Sequence, residues 1–162
     1  MMKIKALFTD VDGVLTDGAI NIGVNGELFK TFNSKDGVAI KELLESNIIV
    51  AFITGRKSNI VNIRAKELGV SLVYQNVKNK SDVFQKLKQK VSSMLNETIN
   101  NESIVYVGDD ILDNEVLKIT KSFCPSDATE ETKKVSKHVL KSCGGEGCIR
   151  ETVDYLKKHN LL

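Results

Sequence analysis

The chain has 162 residues, 41% of them apolar and 27% charged, which suits one ordinary globular domain with a buried core. A formal net charge of +2 is too small to argue for nucleic acid or a membrane surface as partner, and no apolar run approaches a membrane span. The start lacks the length and cleavage site of a signal peptide, and an odd set of cysteines (Cys124, Cys143, Cys148) argues against a disulfide framework, so a cytoplasmic protein is expected.

In chain order, residues 3–9 (KIKALFT) predict a first strand, which runs into Thr9-Asp10-Val11-Asp12-Gly13. Residues 18–32 have no helical period. Asn25-Gly26 between two strand-like runs predicts a β-hairpin flap there. Ile40, Leu43 and Leu44 share a face of a first helix after Asp36-Gly37. Residues 48–54 (IIVAFIT) are apolar nearly throughout, as in a strand covered on both faces, and end in Thr54-Gly55-Arg56. Ile60, Ile63 and Leu68 mark a second helix that stops at Gly69. A weaker strand at 70–74 precedes Asn79-Lys80-Ser81, and Phe84, Leu87, Val91 and Met94 stripe a third helix. After a polar linker at 96–102, the strand 103–107 (SIVYV) ends in Gly108-Asp109-Asp110, with Asp113 following. Short strands are expected at 121–124 and 137–140. Between them a helix over 128–135 has Asp127 and Glu130 in an N-terminal capping arrangement. Ile149, Val153 and Leu156 make the last helix amphipathic. No repeat or boundary divides the chain, so a single domain over 1–162 is expected.

Strands alternating with helices predict an α/β fold, a doubly wound and mostly parallel sheet. In such sheets ligands bind beyond the carboxyl ends of the strands, where the four polar endings above would meet. Converging aspartates without bases repel one another, so a hard cation with oxygen ligands is expected, Mg²⁺ before Zn²⁺. Cys143 and Cys148 have no second ligand pair at zinc spacing, and His138 and His159 stand alone. Around Mg²⁺, a threonine hydroxyl and a lysine ammonium could hold phosphoryl oxygens, one aspartate could attack phosphorus, and a second could move protons. Two other readings weigh less. A calcium loop of the EF-hand type needs glycine at its sixth position and glutamate at its twelfth, whereas Gly13 is fourth from Asp10 and Asn21 is twelfth. A signalling receiver domain would carry its phosphorylated aspartate at the third strand, and none lies near Tyr74. Each polar residue also has a plain reading: Lys80 and Arg64 as solvated charges, Asp110 as a helix start, the GGEG at 144–147 as a simple loop.

The segments DVDGVLTDG, FNSKDGVAIK, ITGRKS, NVKNK, YVGDDILD and GGEGCIRE, with the flap, resemble the haloacid dehalogenase superfamily. Within it they resemble the phosphatases of 3-deoxy-D-manno-octulosonate 8-phosphate (KDO 8-phosphate). The resemblance implies a Rossmann-like sheet of haloacid dehalogenase type with the flap at about 18–32 and no large cap domain. It implies Asp10 as nucleophile and Mg²⁺ ligand, and Asp12 as general acid and base with its carbonyl on the metal. Thr54 and Lys80 would hold the phosphoryl group. Asp109 would be the third protein ligand, with Asp110 or Asp113 supporting it. Asn33, Ser34, Lys35, Asp36, Gly37, Lys41 and Gly55 would lie near the sugar phosphate, and Arg56 and Arg64 would meet its carboxylate. The implied activity is a Mg²⁺-dependent phosphomonoesterase acting on KDO 8-phosphate in lipopolysaccharide synthesis. Family members resembling the chain are tetramers that close each site with a neighbour. The flap is therefore expected at an interface, with Arg64 acting across it and the tail from Gly144 near a neighbouring site. Two alternatives remain: a phosphatase of nine-carbon sialic-type acid 9-phosphates, or a non-catalytic partner of a sugar-acid cytidylyltransferase. Arg56 speaks for the eight-carbon acid; GGEG is shared as much with the nine-carbon group.

Overall fold

The structure, a computed structural model, describes residues 3–162. Six parallel strands form one sheet, β1 (Ala6–Thr9), β4 (Ile49–Ile53), β5 (Leu72–Tyr74), β6 (Ile104–Val107), β7 (Lys121–Cys124) and β8 (His138–Val139), in the spatial order β5-β4-β1-β6-β7-β8. The chain winds outward from β1 in one direction through β4 and β5, then returns to pair β6 on its other side. That reversal leaves a crevice beyond the carboxyl ends of β1 and β6, where doubly wound sheets bind ligands.

The strands are apolar throughout because both faces are covered. Period-two alternation sorts their side chains. Leu7, Val50, Phe52, Val105 and Val107 join the core under α1 (Ser34–Glu45), α2 (Asn59–Leu68) and α6 (Cys148–Lys158). Ala6, Phe8, Ala51, Ile53, Ile104 and Tyr106 face α3 (Lys80–Leu95) and α4 (Asn114–Ile119). Fully buried Phe8, Phe52 and Phe84 each contribute roughly 1.5–3 kcal/mol through the water they leave.

Local signals place the helix starts that matter for the rim. Asn79 caps α3 through its side chain and the Asp82 amide, so Lys80 opens that helix. Ser58 caps α2, and Gly69 ends it at φ +84°. Three expectations differ in detail. α2 buries Val61, Ala65 and Leu68, leaving Ile63 61% exposed, because its sheet-facing stripe is rotated from the one the isoleucines suggest. Met94, in the last turn of α3, is also exposed. α5 (Glu130–Val135) is capped by Thr129, while the Asp127 carboxylate accepts from the Gly144 amide instead. The polar linker tucks Ile99 into the core.

The hairpin forms where Asn25-Gly26 predicts it, with strands of two residues each, β2 (Ile22–Gly23) and β3 (Gly26–Glu27). Among the described residues, no helix is long and apolar enough to cross a membrane.

Candidate active site

The end of β1 is held by backbone first. The Asp10 amide donates to the Val107 carbonyl at the end of β6, and the amides of Val14, Leu15 and Thr16 all turn back to the Val11 carbonyl. Gly13 makes this turn at φ +90°. A Cβ there would lie 2.1 Å from Asp109 Oδ2, so only glycine lets the β6 carboxylate reach β1. Gly108 does the same for Asp113, whose Cγ would be 2.4 Å from a Cβ at that position.

Into this space Lys80 brings the cation. Its Nζ lies 2.7 Å from Asp10 Oδ2 and 2.7 Å from Asp113 Oδ1, with 3% of the side chain exposed. Asp113 Oδ1 also accepts from the Tyr106 hydroxyl at 2.5 Å, and Asp10 Oδ1 accepts from the Val11 amide at 2.7 Å. Burial disfavours the Lys80 charge, but Asp10 and Asp113 outweigh it and hold its pKa above the usual lysine value.

One lysine does not balance this many carboxylates. One oxygen each of Asp10, Asp109 and Asp113 lies within 4.8 Å of the others. Burial pushes Asp10 up to about 6, Lys80 pulling the other way and Asp113 adding to the rise. Burial, then Asp10 and Asp113, pushes Asp109 up to about 8. Asp109 Oδ1 is buried without any hydrogen-bond partner. An orphaned carboxylate oxygen facing two others fits a hard, oxygen-liganded cation such as Mg²⁺. Asp113 spends its oxygens on Lys80, Tyr106 and, at 3.4 Å, the Asp110 amide, so it braces the cluster. The carboxylate of Asp110 turns away to cap the short 3₁₀ turn Ile111–Asp113 through the Ile111 amide at 2.7 Å; its support of the metal cluster is limited to its own backbone.

Asp12 belongs to a second cluster. Its Oδ1 accepts from Lys30 Nζ at 2.5 Å and from Thr16 Oγ1 at 3.4 Å; Arg56 Nε stands 4.0 Å from its Oδ2. Lys30 comes from the flap. Nothing in the sequence reading singled it out, or Tyr106, which sits inside an apolar run. Thr54 is buried beyond β4, its hydroxyl accepting from the Arg56 amide at 3.3 Å. Gly55 lies next to it, where a Cβ would meet only the Val77 carbonyl at 3.6 Å, so close approach does not require glycine there.

The segment after the flap divides between helix caps, exposed side chains and buried contacts. Asn33 caps α1 through the Lys35 amide and donates to the Gly145 carbonyl. Ser34, Lys35 and Lys41 are exposed on α1. Asp36, expected against the sugar, is buried and accepts from the Arg150 amide at 2.8 Å, capping α6, where Gly147 at the N-cap position has no side chain to offer. Burial pushes its pKa up to about 6. Gly37 makes room for Arg64, whose Nη2 would lie 2.6 Å from a Cβ. Arg64 pairs with Glu67 at 2.9 Å and lies over the Phe32 ring. The GGEG loop packs against the turn after β1: a Cβ on Gly144 would be 2.3 Å from the Gly13 carbonyl oxygen, and the Gly145 amide donates to the Val14 carbonyl.

Comparison with known proteins adds an independent line. No family model matches the chain. It is 41% identical over 155 residues, 95% of this chain and 79% of the relative, to the 3-deoxy-D-manno-octulosonate 8-phosphate phosphatase of Escherichia coli K12. The protein of the same name from Haemophilus influenzae is 36% identical over 156 residues, 95% of this chain and 83% of the relative. Among solved structures, the Moraxella catarrhalis phosphatase of that name, in complex with magnesium, phosphate and KDO, superposes with a TM-score of 0.89 at 34% identity, covering 98% of this chain and 89% of that one. A haloacid dehalogenase superfamily hydrolase of subfamily III A from Legionella pneumophila gives 0.89 at 31% identity over 97% of this chain and 84% of that one.

Proposed function

Because the chain belongs to the 3-deoxy-D-manno-octulosonate 8-phosphate phosphatase family of the haloacid dehalogenase superfamily, we propose that it hydrolyses KDO 8-phosphate to KDO and phosphate. The observation that carries the chemistry is the orphaned Asp109 oxygen beside Asp10, in a cluster that holds too few cations of its own. Asp10, Asp109 and the Asp12 carbonyl would hold Mg²⁺, which when bound neutralises charge on the phosphoryl group.

The chain's own residues do the rest. Asp10 attacks phosphorus, forming an aspartyl-phosphate. The ester P–O bond breaks with its electron pair going to the sugar oxygen, and Asp12 delivers a proton to that oxygen. Water then attacks phosphorus and gives Asp12 a proton, and the bond to Asp10 breaks, releasing phosphate. Lys80 and Thr54 hold phosphoryl oxygens. Arg56, with 42% of its side chain exposed, takes the substrate carboxylate through its planar fork.

The chain works as one unit over 1–162, in a homotetramer. The apolar residues that the flap leaves exposed, Ile20, Ile22, Val24, Leu28 and Phe29, support an interface there. Three free cysteines suit a cytoplasmic enzyme of lipopolysaccharide sugar synthesis. Phosphate release with Mg²⁺ tests the reading on KDO 8-phosphate, N-acetylneuraminate 9-phosphate, its deaminated nine-carbon analogue and hexose phosphates. Preference for the eight-carbon acid is expected. Preference for a nine-carbon acid would keep the mechanism and transfer selectivity from Arg56 to the docked GGEG loop. No Mg²⁺-dependent release from any ester would leave a non-catalytic partner of a cytidylyltransferase.

A further inference from the structure

The flap presents its apolar residues to solvent, with Ile22, Val24, Leu28 and Phe29 each more than half exposed. Lys30, the next residue, keeps only 2% of its side chain exposed. A lysine is buried this far only when its charge is paired. Lys30 has two partners, Asp12 Oδ1 at 2.5 Å and Glu27 Oε1 at 3.2 Å. The other Glu27 oxygen accepts from the hydroxyl of Ser58, the cap of α2. A continuous polar chain thus runs from the end of β1, through the flap, to the loop after β4.

This chain makes the two oxygens of Asp12 different. Oδ1 is occupied by Lys30 and Thr16. Oδ2 is buried and has no hydrogen-bond partner. Arg56 Nε stands 4.0 Å from Oδ2 without a hydrogen bond, so Oδ2 is the oxygen of Asp12 whose acceptor positions are left open.

We propose that Lys30 is a positioning residue for the reaction, holding Oδ1 so that Oδ2 is the atom of Asp12 that exchanges protons with the substrate oxygen and with water. Glu27 and Ser58 keep Lys30 in place. When the ester P–O bond breaks, the Oδ2 proton passes to the sugar oxygen; when water attacks the aspartyl-phosphate, one water proton returns to Oδ2. The proposal rests on the reading of Asp12 as general acid and base.

The test is kcat/KM with Mg²⁺ for phenyl phosphates whose ring substituents vary the basicity of the departing phenolate. Wild type, Lys30→Met, Lys30→Arg and Asp12→Asn are compared. A poorly placed acid costs most when the leaving group is poor, whereas a loosened flap lowers every substrate alike. Lys30→Met is expected to steepen the dependence on leaving group, losing about 10–100-fold at the basic end, part of the roughly 10²–10⁴ that a general acid contributes. Lys30→Arg is expected to restore most of it. An equal loss across the series, or no rescue by arginine, overturns the proposal. If Asp12→Asn steepens the dependence and Lys30→Met does not, only the role of Lys30 fails. If Asp12→Asn leaves the slope at the wild-type value, the reading of Asp12 fails and takes the role of Lys30 with it. Should Lys30→Met not fold, Glu27→Gln keeps the cation and loosens its anchor; a slope between the extremes supports the proposal and an unchanged slope overturns it.

Discussion

Two lysines hold the two aspartates of the β1 end, and they do so from different kinds of structure. Lys80 opens the sixteen-residue helix α3, which is capped by Asn79 and lies on the sheet through Phe84, Leu87 and Val91. Lys30 is carried by a hairpin with two-residue strands and an exposed apolar surface. Both ammonium groups are almost fully buried, so both depend on their carboxylates. Asp10, the proposed nucleophile, is thus fixed by a helix packed on the core. Asp12, the proposed proton carrier, is held by a hairpin whose apolar residues lie outside the core. Two ion pairs of similar length and burial can therefore be anchored by a core helix in one case and by a short surface hairpin in the other.

The largest effect that could break the contrast is that of Lys80→Met. Removing this cation leaves the buried Asp10 and Asp113 and the half-buried Asp109 with no lysine beside them, so turnover is expected to vanish. Urea unfolding in chelator should show a loss of about 3–5 kcal/mol. Stability close to wild type would mean that α3 and the core do not depend on the pairing.

The next prediction removes the metal. Asp10 and Asp109 sit at about 6 and about 8 against an ordinary 3.8. Their protons are bound more tightly in the folded protein, so folding is favoured below the ordinary value and loses stability as pH rises through the two folded values. In chelator the melting temperature should therefore fall from mildly acidic to mildly alkaline pH. Saturating Mg²⁺ should flatten that fall, and so should Asp109→Asn without metal. An identical pH profile for Asp109→Asn would overturn the assignment of the strain to this cluster.

Smaller effects sharpen the comparison. Tyr106→Phe deletes one donor to Asp113 and keeps the ring, so about 1–2 kcal/mol should be lost in urea unfolding, with kcat reduced and KM little changed. Lys30→Met is expected to cost less global stability than Lys80→Met, because the partner side chains of Lys30 are 17% and 20% exposed, against 10% and 0% for those of Lys80. A loss as large as that of Lys80→Met would show the flap to be part of the core and dissolve the contrast.

Much of this was legible along the chain. Apolar runs stopping at Asp10, Thr54 and Asp109 located one rim of one sheet, since strand order in a doubly wound fold leaves few places for those ends to go. The Asn25-Gly26 turn located the flap. Residues whose meaning lies in a distant partner were not legible. Asp36 was expected near the substrate on the family resemblance alone, and no local signal told that its carboxylate caps a helix that begins more than a hundred residues later. Nor was it legible that Gly144 and Gly145 are needed for the GGEG loop to pack against Gly13, Thr16 and Asp17.

By itself, the order of residues determined the alternation of strands and helices, and with it the side of the sheet on which the aspartates emerge. Period and chain direction are local properties, set by neighbouring residues. Only the tertiary structure decided which lysine serves which carboxylate. Lys30 lies 18 residues from Asp12, and Lys80 lies 33 from Asp113, among many lysines that remain in water. An ion pair depends on distance and burial, and neither exists until the hairpin has folded back and the helix has docked.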